Sequence, residues 1–217
     1  STHLGPSFPT RRSSDLGIQV EHSKIDIDYI NNLAQNMSKN TIVPLEELPK
    51  YDLFLSQVID FLNDKFEGEG FTNNIVQNYI KNEVIAKPED GKKRGYTKIH
   101  LTQLVLLSYM RPILTTEEIK KVFSLAFNDI NDRNDDIISW ESAYKIFTDI
   151  QNKSFEEFVS MQHLNENKLR KIIKDNNLEI QDQEKIMVFL ISMTLICQAS
   201  AVKNLAKKII DEYTQDV

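Results

Sequence analysis

The chain is poor in cysteine, glycine, proline and histidine, and each shortage removes a class of function. One cysteine, Cys197, in 217 residues forms no internal disulfide and no C-x-x-C pair, which fits a reducing compartment and excludes a zinc ribbon. Six glycines and six prolines are too few for collagen or low-complexity chains, and 41% hydrophobic with 27% charged residues describes one or two ordinary folded domains. The four histidines, His3, His22, His100 and His163, are scattered without metal-binding spacing. No G-x-S-x-G, Walker or G-x-G-x-x-G string occurs. The acid pairs Glu117 with Glu118 and Glu156 with Glu157 fall in first helical turns, where the helix dipole accounts for them. No catalytic constellation emerges, so neither an enzyme nor a bound cofactor or metal is expected. Residues 1 to 20 lack the continuous apolar core of a secretory signal, and a cytoplasmic location is expected.

Positive charge is also scarce. With 26 Lys plus Arg against 32 Asp plus Glu the net charge is -6, which argues against a protein that coats nucleic acid or an anionic membrane with its whole surface. Any site for a polyanion must be local. Ser7 to Leu16 reads SFPTRRSSDL, the in-frame translation of a sequencing adapter, so residues 1–16 are expected to be a disordered artefact. Composition agrees: this segment holds two of the six arginines, while the other 201 residues hold four against twenty lysines.

From residue 17 onward apolar residues recur at three and four, and the fold class expected is all-α. Residues 17–48 supply a first amphipathic helix, through Ile27, Ile30, Leu33, Ala34 and Met37, and a linker between Pro44 and Pro49. Residues 49–127 form the next unit. A helix over about 51–66 leads through Gly68 and Gly70 into a short helix capped by Thr72, and Pro88, Gly91 and Gly95 mark turns. Residues 85–87 and 94–96 are placed to pair as a small hairpin. Thr97 opens an apolar helix that Pro112 stops, and Thr115 with Glu118 is a capping box for another, reaching Phe127.

Residues 137–217 are expected to form a C-terminal helical region: one helix over about 139–151, one over 154–175 opened by Ser154 with Glu157, and one over 182–214. Ten of the twelve residues from Ile186 to Cys197 are hydrophobic, covering the whole circumference, which predicts a helix buried on most sides, with a dimer interface as the alternative. A membrane span needs ~20 such residues, and Lys203 and Lys207 follow too soon. The acidic loop DINDRNDD does not fit a calcium cage: with Asp129 first, Arg133 falls on a ligand position and Trp140 stands where Glu is required.

The helix from Asn73 to Asn82 is the most informative segment. Ile75, Val76, Tyr79 and Ile80 fall on one face and Asn73, Asn74, Gln77, Asn78 and Lys81 on the other. Paired amide hydrogen bonds to the N6 and N7 edge of adenine discriminate bases by ~1–3 kcal/mol each, and a helix after a tight turn is where a helix-turn-helix keeps its reading element. Next to it, Lys87 to Lys98 holds five bases against two acids. Thr72, Lys92, Lys93, Arg94, Tyr96, Thr97 and Lys98 are therefore the expected phosphate contacts. Either feature alone is ordinary surface; their adjacency points to double-stranded DNA.

FTNNIVQNYIKNEVIAKP, GKKRGYTKIHL and RPILTTEEIKKVF together resemble the MerR-type winged helix-turn-helix, with Tyr79, Pro88, Arg94, Tyr96 and Glu118-Ile119 at the matching places. LPKYDLFLSQVIDFL, this module and the later QASAVKNLAKKIID resemble the bacterial family catalogued as domain of unknown function 1836, closely over about residues 45–150. The resemblance implies a small two-stranded wing and a transcriptional regulator. The sequence departs from the MerR pattern at Asn78, where Arg is usual, and in having no long dimerising coiled coil with effector cysteines. The expectation is a DNA-binding regulator whose C-terminal helices supply either a homodimer interface or a partner surface, with no membrane association and an unread effector. The alternative is a helical protein-interaction module on the same scaffold.

Overall fold

The computed structural model describes residues 27–88, 95–160, 171, 174–176 and 180–215. The adapter-like segment 1–16, the basic residues Lys92, Lys93 and Arg94, and His163 lie outside them. The described residues are mostly helical: α1 (Ile27–Thr41), a single 3-10 turn (Leu45–Glu47), α2 (Leu55–Lys65), α3 (Asn73–Lys81), α4 (Lys98–Met110), α5 (Thr116–Ser124), α6 (Trp140–Ser160) and α7 (Ile180–Gln215). The all-α reading therefore holds.

Local chemistry explains the boundaries. Pro44 sits in extended backbone and admits only one turn before Leu48. The Thr72 hydroxyl accepts from the Ile75 N–H and starts α3. The Thr115 hydroxyl accepts from the Glu118 N–H while the Glu118 carboxylate accepts from the Thr115 N–H at 2.7 Å, the capping box expected at α5.

The core is organised around α4. His100, Leu101, Thr102, Gln103, Leu104, Val105, Leu107 and Ser108 are all buried, and the hydrophobic cluster around them runs from Val43 to Tyr144. Thr102 and Ser108 spend their hydroxyls on the carbonyls of Lys98 and Leu104, so helical backbone satisfies them inside the core. Phe127 stacks on Trp140 with ring centroids 3.4 Å apart and Phe123 meets the same indole edge-on at 5.0 Å, which closes the acidic loop onto α5. At the other edge Tyr109 and Tyr144 hold the backbone of one residue on both sides. The Tyr109 hydroxyl accepts from the Val43 N–H, and the Tyr144 hydroxyl donates to the Val43 carbonyl.

Three expectations need correction. The helix of greatest burial is α4; in α7 only 11% of the apolar window is buried. The reason is its partners: Met187 and Ile191 pack on Ile30 of α1, whereas farther along α7 meets α5 through Lys207–Glu118 at 2.7 Å and Lys121–Asp211 at 3.9 Å. Cys197, expected to be buried, is exposed on this helix. Second, Ser154 does not start a helix; α6 passes through it without a break, since nothing between residues 151 and 154 interrupts the turn hydrogen bonds. Third, the hairpin is not formed by the described residues. Tyr96 exchanges backbone hydrogen bonds with Leu53 instead, and the amides of Ala86 and Lys87 donate to the side chains of Gln103 and Asn131.

Expected from the sequence to be too short an apolar run to span a membrane, α7 is by length and composition a candidate span over Asp182–Thr214, with only 11% of its apolar window buried.

Candidate nucleic-acid interface

Everything that fixes α3 comes from behind it. Val76, Tyr79 and Ile80 are buried, while Asn73, Asn74, Gln77, Asn78 and Lys81 are all exposed. The helix enters from a turn in which Gly68 and Gly70 adopt left-handed backbone, where a side chain would be strained. Two side chains lock that turn. The Asn63 amide group accepts from the Phe71 N–H at 2.7 Å and donates to the Phe71 carbonyl at 3.0 Å. Arg111 donates to the Glu69 carbonyl at 2.8 Å and lays its guanidinium over the Phe71 ring.

The exit from α3 is a Schellman motif. The Val84 N–H reaches the Tyr79 carbonyl at 2.9 Å and the Glu83 N–H reaches the Ile80 carbonyl at 3.0 Å, with Glu83 at φ 55° in the position glycine usually takes. The apolar Val84 and Tyr79 are both buried there, as the motif's hydrophobic contact requires.

The five amide-face residues are not equivalent. Asn78 is engaged locally, its Oδ1 accepting from Asn82 at 3.2 Å. Gln77 donates to the Tyr96 hydroxyl at 3.2 Å. Asn73, Asn74 and Lys81 are exposed along the remaining face.

Tyr96, expected on phosphate, is a buried residue whose hydroxyl steadies Gln77. Burial raises its phenol above the ordinary value and the Gln77 hydrogen bond pulls the other way. Thr97 caps α4 together with His100. The Thr97 N–H donates to His100 Nδ1 at 3.0 Å, which leaves the ring proton on Nε2 to donate to the Lys87 carbonyl at 3.0 Å. Lys98 lies 3.7 Å from Glu141, a weak pairing for a half-exposed pair.

His100, Gln103 and Asn131 therefore hold residues 86, 87 and 97, which flank in sequence the basic residues Lys92, Lys93 and Arg94. The sequence held no signal for this: His100 reads as one of four scattered histidines, Gln103 as an oddity in an apolar helix, and Asn131 as one of many loop amides. Gln103 Nε2 is buried without a hydrogen-bond partner among the described residues.

The acidic loop bonds to itself. Asp129 accepts from the Asn131 N–H at 2.9 Å and Asp132 from the Asn134 N–H at 3.0 Å, turns that these residue types favour. Burial, and then the nearby charges of Asp135 and Asp132, raise the Asp136 carboxyl above its usual value.

No solved structure matches the chain. It is 28% identical over 140 residues to the Uncharacterized protein YkrK of Bacillus subtilis (strain 168), a match covering 58% of this chain and 59% of that protein. The chain thus spans less than two thirds of the length of this relative. Residues 43–147 match the family described as Domain of unknown function (DUF1836), and these limits enclose the α4-centred core, from Val43 to Tyr144, that holds α3 and its supports in place.

Proposed function

We propose that the protein is a DNA-binding transcriptional regulator that uses α3 as the reading helix of a MerR-like winged helix-turn-helix. The observation that carries this reading is the division of α3 into a buried apolar face and an exposed amide face, held by locks at both ends. Asn73, Asn74, Gln77, Asn78 and Lys81 would face base edges in a major groove. Thr72, Thr97, Lys98 and the basic residues Lys92, Lys93 and Arg94 would lie along phosphates. Tyr96 takes a positioning role beneath Gln77 in place of a phosphate contact. A homodimer through the C-terminal helices would present two such faces to a symmetric operator.

The test is a fluorescence-anisotropy titration of the chain with DNA from upstream of its own gene at two salt concentrations. Tight binding that survives competitor and weakens steeply with salt is the expected result. Asn74→Ala with Gln77→Ala should relax sequence preference, each lost pair costing ~1–3 kcal/mol of discrimination. Lys93→Ala with Arg94→Ala should weaken binding to every sequence and flatten the salt slope. Parent-like binding by both double variants, or no binding at low salt, would overturn the assignment and favour the protein-interaction reading, which the open apolar surface of α7 supports.

A further inference from the structure

On α7, Leu195, Val202, Leu205, Ile209 and Tyr213 are between 37% and 67% exposed although all are large and apolar. At 100° per residue they share one face, and Lys207 and Asp211, which reach toward α5, lie on the opposite one. Met187 and Ile191, which pack on Ile30 of α1, lie on the same face as the stripe, so the stripe continues that face, exposed, on the side of α7 away from α5. Leu195, Val202 and Ile209 recur every seven residues at a positions, with Leu205 at the d position between the last two and the polar Gln198 and Glu212 at the d positions on either side. Ala199, Ala201 and Ala206, all exposed, flank the seam and let a second backbone approach closely.

We infer that this stripe pairs with the same stripe of a second copy of the chain. Three features select that occupant. β-Branched Val202 and Ile209 at a with Leu205 at d favour a two-stranded assembly. The five side chains leave roughly 500 Å² of apolar surface open, the larger part of the ~800 Å² per partner of a standard interface. The third is that a bilayer is a poor alternative: spanning it would pull Met187 and Ile191 off Ile30 and break the Lys207–Glu118 bond, whereas pairing leaves both contacts in place. The pairing rests on the geometry of α7 and is read out by mass, so it stands or falls separately from the DNA assignment.

Light scattering on the intact chain at micromolar concentration should give the mass of two copies. Leu205→Glu with Ile209→Glu should halve that mass while the helical circular dichroism persists, because both side chains are exposed in the protomer. Ile196→Glu, on the other open face of α7, should leave the pair intact. A single-chain mass for the parent protein across the concentration range overturns the inference. So does a pair that survives the double variant, or a parent chain that floats as single copies with phosphatidylcholine–phosphatidylglycerol vesicles.

Discussion

Glu83 shows how one residue can sit against its own preference. It occupies the left-handed C′ position of α3 at φ 55°, and its carboxylate gains only an exposed contact to Lys120 at 3.4 Å, a class of pair that contributes little. Left-handed backbone costs an L-residue roughly 1–2 kcal/mol, and glycine escapes that cost while losing some from greater freedom when unfolded. Glu83→Gly is expected to raise stability by about 0.5–1 kcal/mol, read as a higher urea midpoint with an unchanged slope. Unchanged or lower stability would mean that the Lys120 contact outweighs the strain. The sequence shows a glutamate after a helix of amides and nothing else; the strain exists only in the dihedral angle.

Among the elements, α3 and α5 were legible because their signals are local. Thr72, the Thr115–Glu118 box and the 3.6-residue apolar spacing act within a turn or two, and the structure places the caps where the spacing put them. What was not legible depends on partners distant in the chain. The apolar run of α7 specifies a buried helix only if neighbours surround it, and here α1 covers one short stretch while ion pairs hold another. Tyr96 likewise finds its backbone partner at Leu53, more than forty residues away, and no hairpin pattern announces that.

The bond between α5 and α7 also sets a pH dependence. The Lys207 ammonium, followed by the Thr115 N–H, holds the Glu118 carboxyl at about 2, below its ordinary 4.5. A lowered folded value means that the contribution is complete above pH 4.5 and is lost as pH falls toward 2. Glu118→Gln should flatten the acid limb of the stability profile in that window relative to the parent protein, measured by thermal unfolding. Parallel acid limbs would show that the contact contributes nothing.

Across the whole molecule, the two tyrosines on Val43 tie the start of the core to α4 and α6. Burial is the leading cause that raises both phenols above the usual 10. A raised folded value gives full stability below pH 10 and loses it as pH climbs past that point. Tyr144→Phe should cost about 1–3 kcal/mol at neutral pH by leaving a buried carbonyl unpaired, and should reduce the alkaline sensitivity. Equal alkaline slopes in parent and variant would place the sensitivity elsewhere.

The support of α3 from behind has a consequence for descent. Because Val76, Tyr79 and Ile80 carry the packing and the locking contacts come from Asn63, Arg111 and Val84, Asn73, Asn74 and Lys81 are exempt from the constraints of folding. Lineages that share this scaffold can exchange those three side chains freely while the architecture underneath is inherited unaltered.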